Sequence, residues 1–211
     1  RVPRNLRRCV GIAGGAIAPT RQDGAVSIPA DPVPVPPRVV LLAGGAAVAP
    51  VWRNGYGSVT FRPDDHRFIA GKVQQVAAAV WRIVAPNPSP LTGPGTNTYV
   101  VGTDGAVVID PGCDDRAHLE RVLEVAGGTV CTHSHPDHSP GAAWLRERTG
   151  APVCGLPAPD DGYQDPSYAP DAGIAEGECI GAGDSLLRAI HTPGHASNHV
   201  CLVLEASGLL F

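Results

Sequence analysis

The sequence is poor in several residue types. Its 211 residues include no methionine, three tryptophans and a single lysine, Lys72, among 16 basic residues. The arginines are scattered rather than clustered, which argues against the basic patch that binds DNA. No apolar run reaches the roughly 20 residues that a transmembrane helix needs. We therefore expect neither a DNA partner nor a membrane partner.

The six cysteines also lack a pattern. No CxxC pair is present, and several cysteines lie within apolar runs. Such residues are typical of buried free thiols in a reducing compartment, although the sequence leaves a disulfide open. Arginines ahead of an apolar patch at residues 9–18 weakly resemble a signal peptide, but two glycines interrupt the patch. The sequence therefore favours a cytoplasmic location.

The composition favours a folded domain, because 43% of the residues are hydrophobic and only 17% are charged. The charge is divided unevenly, with a net +7 over residues 1–82 and a net −11 over residues 83–211. Residues 1–75 contain much proline, glycine and arginine. We predict that they form an N-terminal extension, whose structure the sequence does not define, ahead of a single domain at 76–211.

Within 76–211, strand patterns alternate with helix patterns, which indicates a mixed α/β (α+β) fold. Two helices are predicted, at residues 114–126 and 142–149, and Ser139 reads as the N-cap of the second. Residues 156–178 are rich in proline, glycine and acids, and we predict a long surface loop there or a poorly ordered insert.

Residues 132–141, Thr-His-Ser-His-Pro-Asp-His-Ser-Pro-Gly, carry the densest group of chemically active side chains. Alternate side chains of an extended segment share a face, so His133 and His135 point the same way. The proline that follows cannot donate to a ladder and ends the strand. The chain must turn there, which brings Asp137 and His138 toward the same space. Imidazole and carboxylate ligands suit zinc and other divalent first-row metals.

The alternative is a polar surface loop whose histidines have no function. Only eight histidines occur in the chain, and three of them lie in this segment beside a carboxylate. That density is typical of a metal site rather than of scattered surface histidines. We therefore favour the metal site.

Residues 133–138 (HSHPDH) resemble the HxHxDH signature of the metallo-β-lactamase superfamily, a set of mostly dinuclear zinc hydrolases. Residues 191–195 (HTPGH) are similar to the TPGH segment of the same family. The resemblance covers residues 80–211. It implies a four-layered αββα sandwich, here incomplete and preceded by the N-terminal extension.

The resemblance also implies a ligand set of two Zn²⁺ ions. His133, His135 and His195 would bind the first zinc, and Asp137 and His138 the second. A metal-bound hydroxide would be the nucleophile, and Asp137 would orient it, which makes Asp137 the predicted catalytic residue.

Three further residues are candidates for supporting the ligands or contacting a substrate. Asp110 ends a strand and could hydrogen-bond a ligand imidazole, or it could be an ordinary turn aspartate. Asn97 could face the site or stabilise a turn. His199 lies four residues after His195 and could approach the substrate or lie on the surface.

One departure from the family pattern concerns the last residues. The family adds an aspartate that bridges both metals and a final histidine on the second metal, and both normally lie beyond a segment like residues 209–211. We therefore expect a C-terminally truncated chain that carries five of seven ligands and is poorly active as given.

Residues 85–99 (APNPSPLTGPGTNTY) and 108–112 (VIDPG) resemble the beta-lactamase-like protein 2 group, which includes a single-stranded RNA endoribonuclease and metallo-hydrolases. The family implies hydrolysis of an ester, thioester or phosphodiester. A thioesterase of the hydroxyacylglutathione hydrolase type shares both metal motifs, whereas the −11 charge of residues 83–211 disfavours RNA. A diiron redox protein is the non-hydrolase alternative, but such relatives usually have glutamate in place of His135. The sequence does not define the oligomeric state.

Overall fold

The computed structural model describes residues 51–54, 57–60, 68–89, 91–124 and 128–211, with side chains from residue 68 onward. Most of the predicted N-terminal extension lies outside these ranges. The described residues form twelve strands and two helices. In chain order the elements are β1 (Val51–Asn54), β2 (Gly57–Thr60), β3 (Val73–Ala77), β4 (Val80–Val84), β5 (Asn97–Val101), β6 (Val107–Ile109), α1 (Arg116–Leu123), β7 (Gly128–Val130), α2 (Gly141–Thr149), β8 (Val153–Cys154), β9 (Cys179–Ala182), β10 (Ser185–His191), β11 (Val200–Leu204) and β12 (Leu209–Leu210).

Six strands form one mixed sheet in the order β3-β4-β5-β6-β7-β8, and β1 and β2 form a separate antiparallel pair. Strands β3 to β6 are antiparallel neighbours. Strands β6, β7 and β8 are parallel, because α1 and α2 are the crossover connections between them. All residues of these three short strands are buried, as expected for parallel strands that are covered on both faces.

Both helices pack on one face of the six-stranded sheet. Helix α1 begins after Asp115, whose carboxylate accepts a hydrogen bond from the His118 N–H, and α2 ends at Gly150 in the left-handed conformation. The two predicted helices are thereby confirmed, with ends shifted by at most three residues. The buried residues of this layer are Ile83, Val100, Ala106, Val108, Leu119, Val122, Trp144 and Leu145.

The other face packs on an antiparallel four-stranded sheet in the order β12-β11-β10-β9. Burial alternates along β11 and through the middle of β10, so one face of this sheet contributes to the core. The principal core between the two sheets consists of Val80, Val101, Val107, Ile109, Val130, Cys154, Ile174, Ile180, Ala182, Leu187, Ala189, Leu202 and Leu204.

The layers are therefore helix, sheet and sheet, which confirms the predicted mixed α/β fold with stacked sheets. Among the described residues, no helix covers the outer face of the four-stranded sheet, where Leu186 and Leu210 are exposed. The predicted αββα sandwich is thus incomplete in the part of the chain that the structure describes. The predicted boundary between residues 75 and 76 stays a prediction, and strand β3 runs across it.

The described cysteines, at 113, 131, 154, 179 and 201, are all free thiols, and two of them, Cys131 and Cys154, are buried. This agrees with the preferred interpretation of the sequence for these five residues, while Cys9 lies outside the described ranges. No helix in those ranges is long and apolar enough to cross a membrane. The cytoplasmic location stays a prediction.

Candidate metal centre

The segment after β7 carries the first four predicted ligands. His133 and His135 are separated by one residue, and their ring centroids lie 4.6 Å apart. The backbone then turns, with the His138 N–H donating to the His135 carbonyl at 2.9 Å. Pro136 occupies the second position of this turn, where its fixed φ is favourable. The turn returns the His138 ring to 4.2 Å from the His133 ring.

The fifth predicted ligand, His195, comes from the other sheet, in the loop between β10 and β11. One ligand nitrogen from each of His133, His135 and His195 lies within 4.8 Å of the other two. The His135 Nδ1 and His195 Nε2 atoms face each other at 3.1 Å. The structure thus brings together, from both sheets, the three residues predicted to bind the first metal.

The histidine cluster fits a metal ion. The His133 Nε2 atom is buried and has no hydrogen-bond partner among the described residues. Nitrogens about 2.0–2.1 Å from a tetrahedral zinc are separated from each other by roughly 3.3 Å, which is close to the 3.1 Å observed between His135 and His195. Burial, followed by the charge of His138, lowers the pKa of His133 to about 3. A neutral imidazole has the free lone pair that a metal requires.

Hydrogen bonds around Thr132 define which His133 nitrogen is free. The Thr132 hydroxyl donates to Asp110 Oδ2 at 2.7 Å and lies 3.0 Å from His133 Nδ1. Because its proton is already used, this hydroxyl accepts from the His133 Nδ1–H. The His133 Nε2 atom is then the unprotonated nitrogen, and it is the atom without a partner.

Asp137 and His138, predicted for the second metal, contact each other. The His138 Nε2 atom lies 3.2 Å from Asp137 Oδ2, and its Nδ1 donates to Asp110 Oδ2 at 2.8 Å. Burial disfavours the charged imidazole, but the carboxylates of Asp110 and Asp137 outweigh it and raise the pKa of His138 to about 10. The hydrogen bond from His138 lowers the pKa of Asp137 to about 2.

Asp110 lies directly after β6 with φ of 51°, a left-handed conformation that aspartate tolerates better than most residues. Its carboxylate accepts from the Thr132 N–H at 2.7 Å, from the Thr132 hydroxyl and from His138. Asp110 therefore contacts one predicted ligand directly and reaches His133 through Thr132. Of the two sequence interpretations, this geometry favours support of a ligand imidazole.

The structure places Asn97 and His199 differently. Asn97 lies on β5, and its Oδ1 is buried without a hydrogen-bond partner in the described part of the chain. The neighbouring Thr96 approaches the site instead, with its hydroxyl 3.5 Å from Asp137 Oδ2. The ring centroid of His199 lies 5.0 Å from that of His133, and its Nδ1 is 2.8 Å from the Thr192 hydroxyl. His199 therefore packs beside the cluster.

The sequence interpretation missed residues behind the cluster. Residues 156–178 contain no helix or strand, yet Asp165, Tyr168 and Ile174 are buried. The Asp165 N–H donates to the Ser134 carbonyl at 2.7 Å, and the Ser139 hydroxyl donates to Asp165 Oδ2 at 2.9 Å. The predicted surface loop therefore packs against the metal-binding segment. The sequence gives little indication of this packing, because the polar residues involved bond to partners more than 20 positions away along the chain.

Several curated proteins with sequence similarity to this chain are fungal. A lactamase-like protein of Pestalotiopsis microspora is 34% identical over 147 residues, covering 66% of this chain and 44% of the relative. An atrochrysone carboxyl ACP thioesterase of Passalora fulva is 33% identical, covering 64% of this chain and 41% of the relative. A thioesterase of Emericella nidulans is 34% identical, with coverages of 63% and 39%. The chain spans less than half the length of these relatives. The resemblance to the beta-lactamase-like protein 2 group stays a prediction.

Solved structures with the same fold include two bacterial metallo-beta-lactamases. The enzyme of Cronobacter sakazakii with a HARLDQ motif superposes with a TM-score of 0.55 at 20% identity, covering 66% of this chain and 62% of that one. A subclass B3 enzyme of Bradyrhizobium japonicum gives 0.53 at 19% identity, with coverages of 66% and 59%. At such identities the likeness concerns the fold alone.

The family assignment follows from a sequence comparison as well as from the fold. A sequence model of the metallo-beta-lactamase superfamily matches residues 91–211. This range contains both histidine motifs and all five predicted ligands. Because the match extends over more than half of the chain, the chain belongs to the metallo-beta-lactamase superfamily.

Proposed function

We propose that this chain carries the metal centre of a zinc-dependent thioesterase. The observation that carries the proposal is the convergence of His133, His135 and His195, with the unprotonated Nε2 of His133 buried and unpaired. Buried polar atoms are nearly always satisfied, so an unpaired imidazole nitrogen in a cluster of three histidines fits a metal ion. The thioesterase names of two relatives favour a thioester over other substrates.

The predicted ligands of this centre form two groups, one for each zinc ion. His133, His135 and His195 would hold one zinc ion. Asp137 and His138 would hold a second, whose binding would require His138 to lose the Nε2 proton that it directs at Asp137. Bound zinc supplies a Lewis acid and a nucleophile at neutral pH. The Asp137 carboxylate lies on the solvent side of the turn and is about one-third exposed. From there it would orient an incoming water.

The opening of the site is compatible with a small thioester. His133 is buried, whereas His135 is half-buried and His195 is exposed, so the cluster is accessible from one side. The described region from residue 83 onward carries 16 acids and five arginines. That charge repels a phosphate backbone but leaves an uncharged thioester carbonyl unaffected. We therefore favour a thioester over RNA as the substrate. The test below also detects an RNA substrate or a diiron centre.

The test measures thioester hydrolysis and metal content on the same protein. Zinc-loaded protein is assayed with S-lactoylglutathione, with an uncharged N-acetylcysteamine thioester and with a fluorogenic RNA, before and after chelation. We expect slow thioester cleavage, in keeping with five of the family's seven ligands, that is lost on chelation and restored by zinc. It should fall to background in His195→Ala but not in the matched His191→Ala. RNA cleavage alone, iron rather than zinc, or no bound metal would contradict the proposal.

A further inference from the structure

Three polar side chains lie behind the histidine cluster and form what we call the polar clamp, consisting of Ser134, Gln164 and Asn198. The Asn198 amide donates to the Ser134 hydroxyl at 2.8 Å, and the Ser134 hydroxyl donates to Gln164 Oε1 at 2.5 Å. The amide of Asn198 also donates to the Leu156 carbonyl at 3.3 Å. Ser134 is completely buried and Asn198 is 5% exposed. Hydrogen bonds in such a position are shielded from water.

The hydrogen bonds of the polar clamp all run in one direction. The Gln164 Nε2 atom donates to both carboxylate oxygens of Asp161 at 2.9 Å, so the chain of donors ends on a charged acceptor. The Tyr163 N–H donates to the same carboxylate at 3.0 Å. Hydrogen bonds aligned in this way polarise and strengthen one another, and a carboxylate acceptor strengthens the last bond.

The polar clamp joins the two segments that carry the first-metal ligands. Ser134 lies between His133 and His135, and its side chain points away from theirs because alternate residues face opposite sides. Asn198 lies three residues after His195, in the loop between β10 and β11. The hydrogen bond between Ser134 and Asn198 therefore connects the segment of two ligands with the loop of the third.

Besides the contacts among the histidine rings, one backbone hydrogen bond links the described residues around the His195 loop to the first segment. Within the loop, the Thr192 N–H donates to the His199 carbonyl at 2.9 Å and the His199 N–H to the Ala196 carbonyl at 3.2 Å, but these bonds do not reach the other ligands. The backbone link to the first segment is the Val200 N–H, which donates to the Thr132 carbonyl at 2.9 Å. The bond from Asn198 to Ser134 is a side-chain link between the same two segments.

We propose that Asn198 is a positioning residue for the metal centre, acting through Ser134, and that residues 156–165 tune metal affinity through the same polar clamp. The inference rests on the proposed function, because it assumes that the three histidines hold a metal ion. Without the Asn198–Ser134 bond, the exposed His195 loop has one fewer constraint. The separation of His195 from His133 and His135 then becomes variable, which weakens binding of an ion that requires a fixed geometry.

The test uses Asn198→Ala, Ser134→Ala and the double variant. Zinc affinity is measured by competition with a chromophoric chelator, and the geometry of the site by the visible absorption of Co²⁺ bound in place of zinc. We expect each single change to weaken zinc binding about 10-fold or more and to shift the Co²⁺ bands. The zinc affinity of the double variant is expected to equal that of the single variant with the lower affinity, because both changes remove the same bond.

A further variant tests the same inference if substitution of the buried residues Ser134 or Asn198 prevents folding. Gln164 is half-buried, so Gln164→Ala removes the outer end of the polar clamp, with Gln75→Ala on the exposed strand β3 as the matched control. We expect a several-fold weaker zinc affinity only for Gln164→Ala. If the parent protein binds both ions and the variants show unchanged zinc affinity and unchanged Co²⁺ bands, this inference is wrong and the proposed function is unaffected. A parent protein that binds neither ion would instead contradict the proposed function.

Discussion

Asp110 organises the candidate metal site through hydrogen bonds, without being one of the predicted metal ligands. It accepts hydrogen bonds from the Thr132 N–H, the Thr132 hydroxyl and His138 Nδ1, at 2.7 to 2.8 Å. Its side chain is nearly buried, with 8% exposed. Each donor would otherwise be left unpaired in a region of low dielectric, where an unpaired polar group is costly.

We expect Asp110→Asn to destabilise the metal-free protein by on the order of 3 kcal/mol. Asparagine tolerates the left-handed backbone, so the change isolates the side-chain hydrogen bonds. Its amide nitrogen cannot accept. Depending on the amide orientation, either the Thr132 N–H loses its acceptor at the Oδ1 position, or the Thr132 hydroxyl and the His138 Nδ1–H both lose theirs at the Oδ2 position. Urea unfolding followed by circular dichroism measures the change. The exposed Asp184→Asn is the matched control, expected within about 0.5 kcal/mol. Equal losses in both variants would show that the Asp110 network is not stabilising.

At the scale of elements, the start of helix α2 is fitted closely against its neighbours. A Cβ added at Gly141 would lie 2.5 Å from Leu119 Cδ2, 3.1 Å from Pro111 Cβ and 3.2 Å from the Pro111 carbonyl oxygen. Leu119 is itself fully buried, so it has little room to move. The Gly141 N–H also donates to the Gly112 carbonyl at 3.1 Å, which joins the helix to the segment after Asp110.

Gly141→Ala should therefore destabilise the protein, although alanine is the better helix former by about 1 kcal/mol. We expect a net loss of about 1–3 kcal/mol, the usual cost of overpacking a core. The same substitution at Gly173, where nothing lies within 4 Å of an added Cβ, is the matched control and should be nearly neutral. Thermal unfolding of both variants gives the comparison. A stabilised Gly141→Ala would mean that propensity outweighs the close contact with Leu119.

Which elements the sequence could predict depends on how local their signals are. Helix α2 was predictable from its flanking residues, since Gly150 ends it in the left-handed conformation. The predicted N-cap at Ser139 is wrong, because the cap position is Pro140 and the Ser139 hydroxyl donates to Asp165 Oδ2 instead of accepting from a helix N–H. The strand β3 was missed, because its edge position leaves residues such as Val73 and Val76 exposed and removes the alternation that would identify it.

At the scale of the whole molecule, the candidate site joins the two sheets. His133 and His135 follow a strand of the six-stranded sheet, and His195 follows a strand of the four-stranded sheet. The two motifs were visible in the sequence, and resemblance to the family predicted that they meet. The packing behind them could not be predicted, because Ser134, Gln164 and Asn198 are separated by 30 and 64 positions along the chain and carry no shared pattern.

A metal held by ligands from both sheets should stabilise the whole molecule. A ligand present at 100 times its Kd and bound only by the folded state adds about 2.7 kcal/mol. For a protein of this size that corresponds to a rise in Tm of roughly 5–10 °C. We therefore expect zinc added to the metal-free protein to raise Tm by this amount, measured by calorimetry at several zinc concentrations.

The same measurement on two histidine variants tests whether the stabilisation passes through both sheets. His195→Ala leaves His133 and His135 in place but removes the ligand from the four-stranded sheet, so most of the zinc-dependent rise in Tm should disappear. His191→Ala removes an imidazole whose Nε2 lies 3.0 Å from the Ile174 carbonyl, outside the cluster, and the rise should persist. If zinc raised the Tm of both variants equally, the ion would be held by the six-stranded sheet alone, and His195 would not be a ligand.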